Sequence, residues 1–111
     1  MFFSFLNKVA GIVGEKYPDV KIHSYAYAYV IAPPVCEIAD NVYITFCPLW
    51  EDLCSNPGES GRSGANQQYR YLLGWMEITP NIQVYNYYGC FKTSPLFERP
   101  IWTRIQSDLQ L

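Results

Sequence analysis

Three kinds of side chain in this 111-residue sequence could do chemistry: an adjacent pair of carboxylates, four cysteines with one histidine, and an unusual number of aromatic rings. Glu51 and Asp52 follow a short apolar run that ends at Pro48. Two acids placed just after a strand are positioned for proton transfer. Adjacent acids in polar loop text are also ordinary solvated residues. Cys36, Cys47, Cys54 and Cys90 include no C-x-x-C pair, so a zinc or redox motif is not indicated. Cys47 reads as a small core residue, and Cys36 and Cys54 as loop thiols able to pair in an oxidising compartment. A single histidine, His23, is more commonly structural than a ligand or base. Ten tyrosines and three tryptophans offer flat apolar faces with polar tips, which serve cores and wet binding surfaces alike.

These residues must be held by regular elements. Phe2, Leu6, Val9 and Val13 recur at helical spacing, with Asn7, Lys8, Glu15 and Lys16 on the wet side, and Pro18 closes the segment. The spacing predicts a helix over 2–17. Residues 20–30 follow, with strict Tyr/Ala alternation from Tyr25 to Tyr29, and predict a strand. Its small face suits close packing, and its tyrosine face needs an apolar neighbour. Pro33-Pro34 and Asp40-Asn41 punctuate the chain before a buried strand over 42–47. The polar stretch 51–66 reads as a loop. Residues 67–78 predict a helix with Tyr71, Leu72, Trp75 and Ile78 on one stripe, and Trp75 reads as core. A third strand is expected over 82–88 and a final helix over 101–111.

The order helix-strand-strand-helix-strand-helix points to an α/β domain with a mainly parallel sheet. The link between the first two strands, about a dozen residues, is near the minimum for a parallel crossover, so an antiparallel pair in an α+β sandwich stays open. In a parallel arrangement the C-terminal strand ends converge, bringing together Tyr27 and Tyr29, Trp50 with Glu51, and Asn86 with Tyr87. Tyr25, Tyr27 and Tyr85 read equally well as core or helix-facing.

Charge and hydropathy narrow the partners. A net charge of −2 with no Lys/Arg run excludes a nucleic-acid partner. No apolar run reaches the length of a membrane span. The apolar start Met1 to Leu6 has no basic segment before it and no small-residue cleavage site, so the reading is of a chain that is neither membrane-bound nor exported.

Several segments together resemble one family. They are Phe5-Leu6-Asn7-Lys8-Val9-Ala10, Lys16-Tyr17-Pro18-Asp19, Ala26-Tyr27-Ala28-Tyr29, Pro33-Pro34, Asp40-Asn41-Val42, Phe46-Cys47-Pro48-Leu49, Asn66 before Gly74-Trp75, and Val84-Tyr85-Asn86-Tyr87-Tyr88. In order and spacing, over about residues 5–110, they resemble the domain of unknown function 4838, also catalogued as family-163 glycoside hydrolases. The resemblance implies a (β/α)8 barrel used in bacterial glycan degradation, with relatives acting as endo-β-N-acetylglucosaminidases and often exported or periplasmic. It implies a glycan ligand and no cofactor.

A whole barrel needs about 250 residues, so the expectation is a partial TIM-barrel-like segment of roughly three of the eight strands. Such a segment is expected to be inactive alone and to form homo-oligomers through exposed sheet edges. Relatives often carry an Arg and a His after the Phe-Cys-Pro-Leu stretch, where this chain has Trp50 to Ser55, and an acid where it has Asn86. Retaining glycosidases hold two carboxyls about 5–5.5 Å apart and inverting ones about 6.5–9.5 Å. No pair suited to this is legible, so the catalytic residues stay unassigned. The competing readings are a non-catalytic carbohydrate-binding or interaction module that uses the strand-end aromatics, and a small thiol enzyme built on Cys47 or Cys90.

Overall fold

A computed structural model describes residues 1–48 and 63–86. Its elements run α1 (Phe2–Lys16), β1 (Ile22–Ala26), a 3-10 turn (Ala28–Val30), β2 (Val42–Phe46), α2 (Ser63–Ile78) and β3 (Ile82–Val84). The expected helix over 101–111 and the loop over 51–62 lie outside the described residues.

Pro18 ends α1 by moving Tyr17 out of the helical region (φ −136°, ψ 77°), while the Tyr17 N–H still donates to the Val13 carbonyl at 2.7 Å. The face that α1 buries is rotated from the expected one. Phe3 and Ala10 are buried and Leu6 packs beside them, whereas Phe2, Phe5 and Ile12 are exposed. Asn7 is not on the wet side. Its Nδ2 donates to the Glu37 carbonyl at 2.6 Å and its Oδ1 accepts from the Ala39 N–H at 3.0 Å.

The three strands form one parallel sheet in the order β1-β2-β3. The antiparallel alternative is therefore overturned: Ile22 pairs with Val42 and Ala26 with Phe46 in parallel register. A parallel pair needs a crossover, and residues 27–41 supply it without an α-helix. Side chains replace the missing helical bonds along it. Trp75 Nε1 donates to the Ile31 carbonyl at 2.8 Å, and Asn41 Nδ2 donates to the Ala10 carbonyl at 2.9 Å. Asn81 Nδ2 donates to the Asp40 carbonyl at 2.8 Å. The Trp75 and Asn81 bonds give partners to carbonyls of this exposed or half-buried segment, in which only Ile38 is buried, and the Asn41 bond ties it to α1.

Both helices lie against the same face of the sheet. The Phe3 ring meets the Trp75 ring edge-on at 4.9 Å, joining α1 to α2. The core beneath them contains Ala26, Val42, Ile44, Phe46, Leu72 and Trp75. Ala26, Val42, Ile44 and Phe46 are even-numbered strand positions, as alternation requires, and Leu72 and Trp75 come from α2. Trp75 is wholly buried, as the stripe on its helix predicts, and that helix begins at Ser63, four residues earlier than expected.

β1 is shorter than its sequence pattern. Ladder pairing stops at Ala26, Tyr27 is still extended (φ −146°, ψ 146°), and Ala28 turns left-handed with φ 47°. Period-2 alternation reports the spacing of side chains but not where the partner strand stops. Here β2 ends at Phe46, so the Tyr/Ala pattern outruns its partner. β3 is likewise confined to Ile82–Val84, although the Tyr85 N–H still donates to the Phe46 carbonyl at 2.8 Å.

Candidate functional site

The face of the sheet turned away from the helices is built from the odd-numbered positions, which the parallel register aligns into rows. At the N-terminal end, His23 stacks on Tyr43 with ring centroids 5.6 Å apart and 25° between planes. Lys21 Nζ lies 6.0 Å from the centre of the Tyr43 ring. In the middle row Tyr25 pairs with Thr45, and Thr45 with Gln83, whose Nε2 donates to Thr45 Oγ1 at 2.8 Å. The alternation continues into a third row of Tyr27, Cys47 and Tyr85. The Cys47 N–H donates to the Ala26 carbonyl at 3.0 Å, and Tyr85 bonds Phe46 in the same way.

This face is polar and aromatic together. Tyr25, Tyr27 and Tyr85 are 63%, 41% and 56% exposed. They present ring faces for stacking and phenolic hydroxyls that donate and accept. Between them the central strand contributes Thr45 and Cys47, both buried. Burial pushes the Cys47 thiol above its ordinary pKa, because the thiolate would lose its hydration. That works against a nucleophilic thiol, whose reactivity depends on the thiolate. Cys36 is half-buried and, like Cys47, free of a disulfide. Cys54 and Cys90 lie outside the described residues.

The strand-end residues expected to converge do so only in part. Tyr27 stands at the C-terminal end of β1, where ligands of parallel sheets gather. Tyr29 does not share its row. The left-handed turn at Ala28 interrupts the alternation, and Tyr29 is 105% exposed in the 3-10 turn. Asn86 follows Tyr85, half-buried, beyond the last ladder bond. Trp50, Glu51 and Tyr87 lie outside the described residues.

Tyr25 and Tyr85 have the opposite role to a core or helix-facing one, since both lie on the open face. The signal for this is the parity they share with His23 and Gln83, polar residues that a core face would not hold. Thr45 and Tyr43 are harder to find, because the run 42–47 looks almost continuously apolar.

Carboxylates are not part of this face among the described residues. Glu15, Asp19, Glu37, Asp40 and Glu77 are all exposed and all lie outside the strands. No group of three His, Cys, Asp or Glu side chains is placed to hold a metal ion among the described residues. No described helix is long and apolar enough to cross a membrane. The described face can therefore stack against and hydrogen-bond a polyhydroxylated ligand, and it presents no acid to cleave one.

The sequence model of a family described as Domain of unknown function (DUF4838) matches residues 1–111. No curated protein and no solved structure matches the chain.

Proposed function

We propose, since the chain belongs to the DUF4838 family, that its three strands are a stretch of the wall of a glycoside-hydrolase-like (β/α)8 barrel whose C-terminal strand ends face a glycan. The observation that carries this reading is the one-sided parallel sheet. The strands run in sequential order, and α2, the one helical crossover among the described residues, packs with α1 on a single face of them, as helices do outside a barrel wall. An all-parallel sheet is normally covered on both faces, and a barrel covers the second by closing on itself. The open face here bears Tyr25, Tyr27, Tyr43, Thr45, Gln83 and Tyr85, a set suited to sugar rings and hydroxyls. By its family resemblance the parent activity is that of an endo-β-N-acetylglucosaminidase. The chain alone does not hydrolyse glycans on this reading.

A second reading is favoured by the lack of a carboxylate on the described part of the face: a carbohydrate-binding module without turnover. Titration of the chain with complex N-glycans, together with an assay for released sugar, tests both. The barrel reading expects no release and binding weaker than about 1 mM, because one wall of a cleft contributes few contacts. The module reading expects binding at least tenfold tighter, about 0.1 mM or below, that is lost in Y25A and Y85A. Glycan release by the chain alone would overturn both, and binding indifferent to Y25A and Y85A would remove this face from either.

A further inference from the structure

Of the three rows on the sheet face turned away from the helices, one carries an aromatic ring on both β1 and β3. In the first row His23 and Tyr43 stack on each other from neighbouring strands. In the second, Tyr25 pairs with Thr45, and Gln83 stands where another ring would be needed, its amide tied to the Thr45 hydroxyl at 2.8 Å. The third row is Tyr27, Cys47 and Tyr85. Its register is fixed by two backbone bonds, Cys47 N–H to the Ala26 carbonyl at 3.0 Å and Tyr85 N–H to the Phe46 carbonyl at 2.8 Å. Tyr27 and Tyr85 are both exposed, and Cys47 between them is small and buried.

Two strand spacings set the backbones of Tyr27 and Tyr85 about 9.5 Å apart. A single sugar ring is too small to lie on both phenol rings, whereas two linked rings can reach both. The row lies just beyond the last ladder pairs, Ala26 with Phe46 and Phe46 with Val84. It is therefore the row nearest the C-terminal strand ends, where ligands of parallel sheets gather.

We propose that Tyr27 and Tyr85 are paired subsites that stack two consecutive sugar rings of one glycan, which runs across the strands. This rests on the barrel form of the glycan reading and adds to it the direction in which the glycan lies. A pyranose ring offers C–H groups to an aromatic face and hydroxyls at its rim, and the phenols supply the face together with a donor and acceptor. The competing direction runs along β1 and would use Tyr25 and Tyr27, about 6.5 Å apart. That path has no continuation. Ala28 turns left-handed directly after Tyr27, and Tyr29 leaves the row. In a closed barrel the inward side chains below the mouth, Tyr25 among them, become packed interior.

An NMR titration of the isotope-labelled full chain with N-acetylglucosamine and with its β-linked disaccharide tests the proposal. The disaccharide is expected to bind about fivefold or more tighter than the monosaccharide, from the second stacked ring. The largest shifts are expected at the backbone amides of Tyr27, Cys47 and Tyr85. The gain is expected to vanish in Y27A and in Y85A and to persist in Y25A. Equal affinity for the two sugars overturns the proposal. So does a gain that survives Y85A and is lost in Y25A, which would lay the glycan along β1 and leave the glycan reading standing. If neither sugar shifts any amide of this face, the glycan reading falls and the proposal falls with it. Should Y27A or Y85A lose the dispersed spectrum of a folded chain, Y27L or Y85L takes its place. Leucine keeps apolar bulk without a flat ring, so the same loss is expected and its absence overturns the proposal in the same way.

Discussion

At the scale of single residues, Gly74 and Cys47 show how tightly this small core is assembled. A Cβ built on Gly74 would stand 2.9 Å from Cγ of Pro33. That contact is shorter than real Cβ atoms make, and a proline ring in the crossover has little room to retreat. We expect Gly74→Ala to destabilise the fold by about 1–3 kcal/mol, as overpacking does, read as a lower urea midpoint at unchanged m-value. Cys47 gives a pH signature. Its folded-state pKa is raised by burial, so the unfolded chain ionises first. This group's contribution is fully present below the ordinary thiol pKa of about 8.5 and is lost as pH rises through the higher folded value. Urea unfolding at neutral and at alkaline pH is expected to show a fall in stability that shrinks in Cys47→Ala. An equal fall in both proteins would assign it to other groups.

At the scale of elements, β1 and its crossover set what the open face can present. Ala28 adopts φ 47° without being glycine. Left-handed backbone costs an L-residue about 1–2 kcal/mol, and glycine gives back about 0.4–1 kcal/mol of that through a freer unfolded chain. Ala28→Gly is therefore expected to raise stability by roughly 0.5–1 kcal/mol, checked by thermal or urea melts. A destabilised A28G would mean that the Ala28 side chain contributes packing that outweighs the strain. The crossover is held by Asn7 and Asn41, which replace an absent helix's hydrogen bonds with their own. Asn41→Ala removes the side-chain bond that ties the crossover to α1, while the Ala10 carbonyl keeps its helical partner, and is expected to cost about 0.5–1.5 kcal/mol, again measured by urea unfolding. Gly14 lies against the same asparagine, 3.2 Å from its Nδ2 to a Cβ built there, which fixes how closely α1 approaches.

At the scale of the whole molecule, the core among the described residues is one layer of contact between the sheet and two helices. Phe46 and Trp75 are the largest fully buried side chains. Phe46→Ala is expected to cost about 3–5 kcal/mol. For a domain of this size that is a large part of total stability, so loss of the cooperative melt at ambient temperature is the expected observation. Among the described residues no helix covers the other sheet face, and the glycan reading follows from that one-sidedness.

The sequence by itself determined the α/β class, the helix over α1, the buried β2, the stripe of α2 around Trp75, and the family. Each rests on short-range periodicity or on the order of local segments, which a linear chain carries in full. It also held the parity that puts Tyr25 with His23 on one face. Only the tertiary structure decided that β1 and β2 are parallel, because the irregular crossover gives no sign until Asn7, Asn41 and Trp75 bond it. Only the structure placed Tyr25 and Tyr85 on the open face and took Tyr29 off it, because which face the helices cover, and where a partner strand stops, depend on residues distant in the chain.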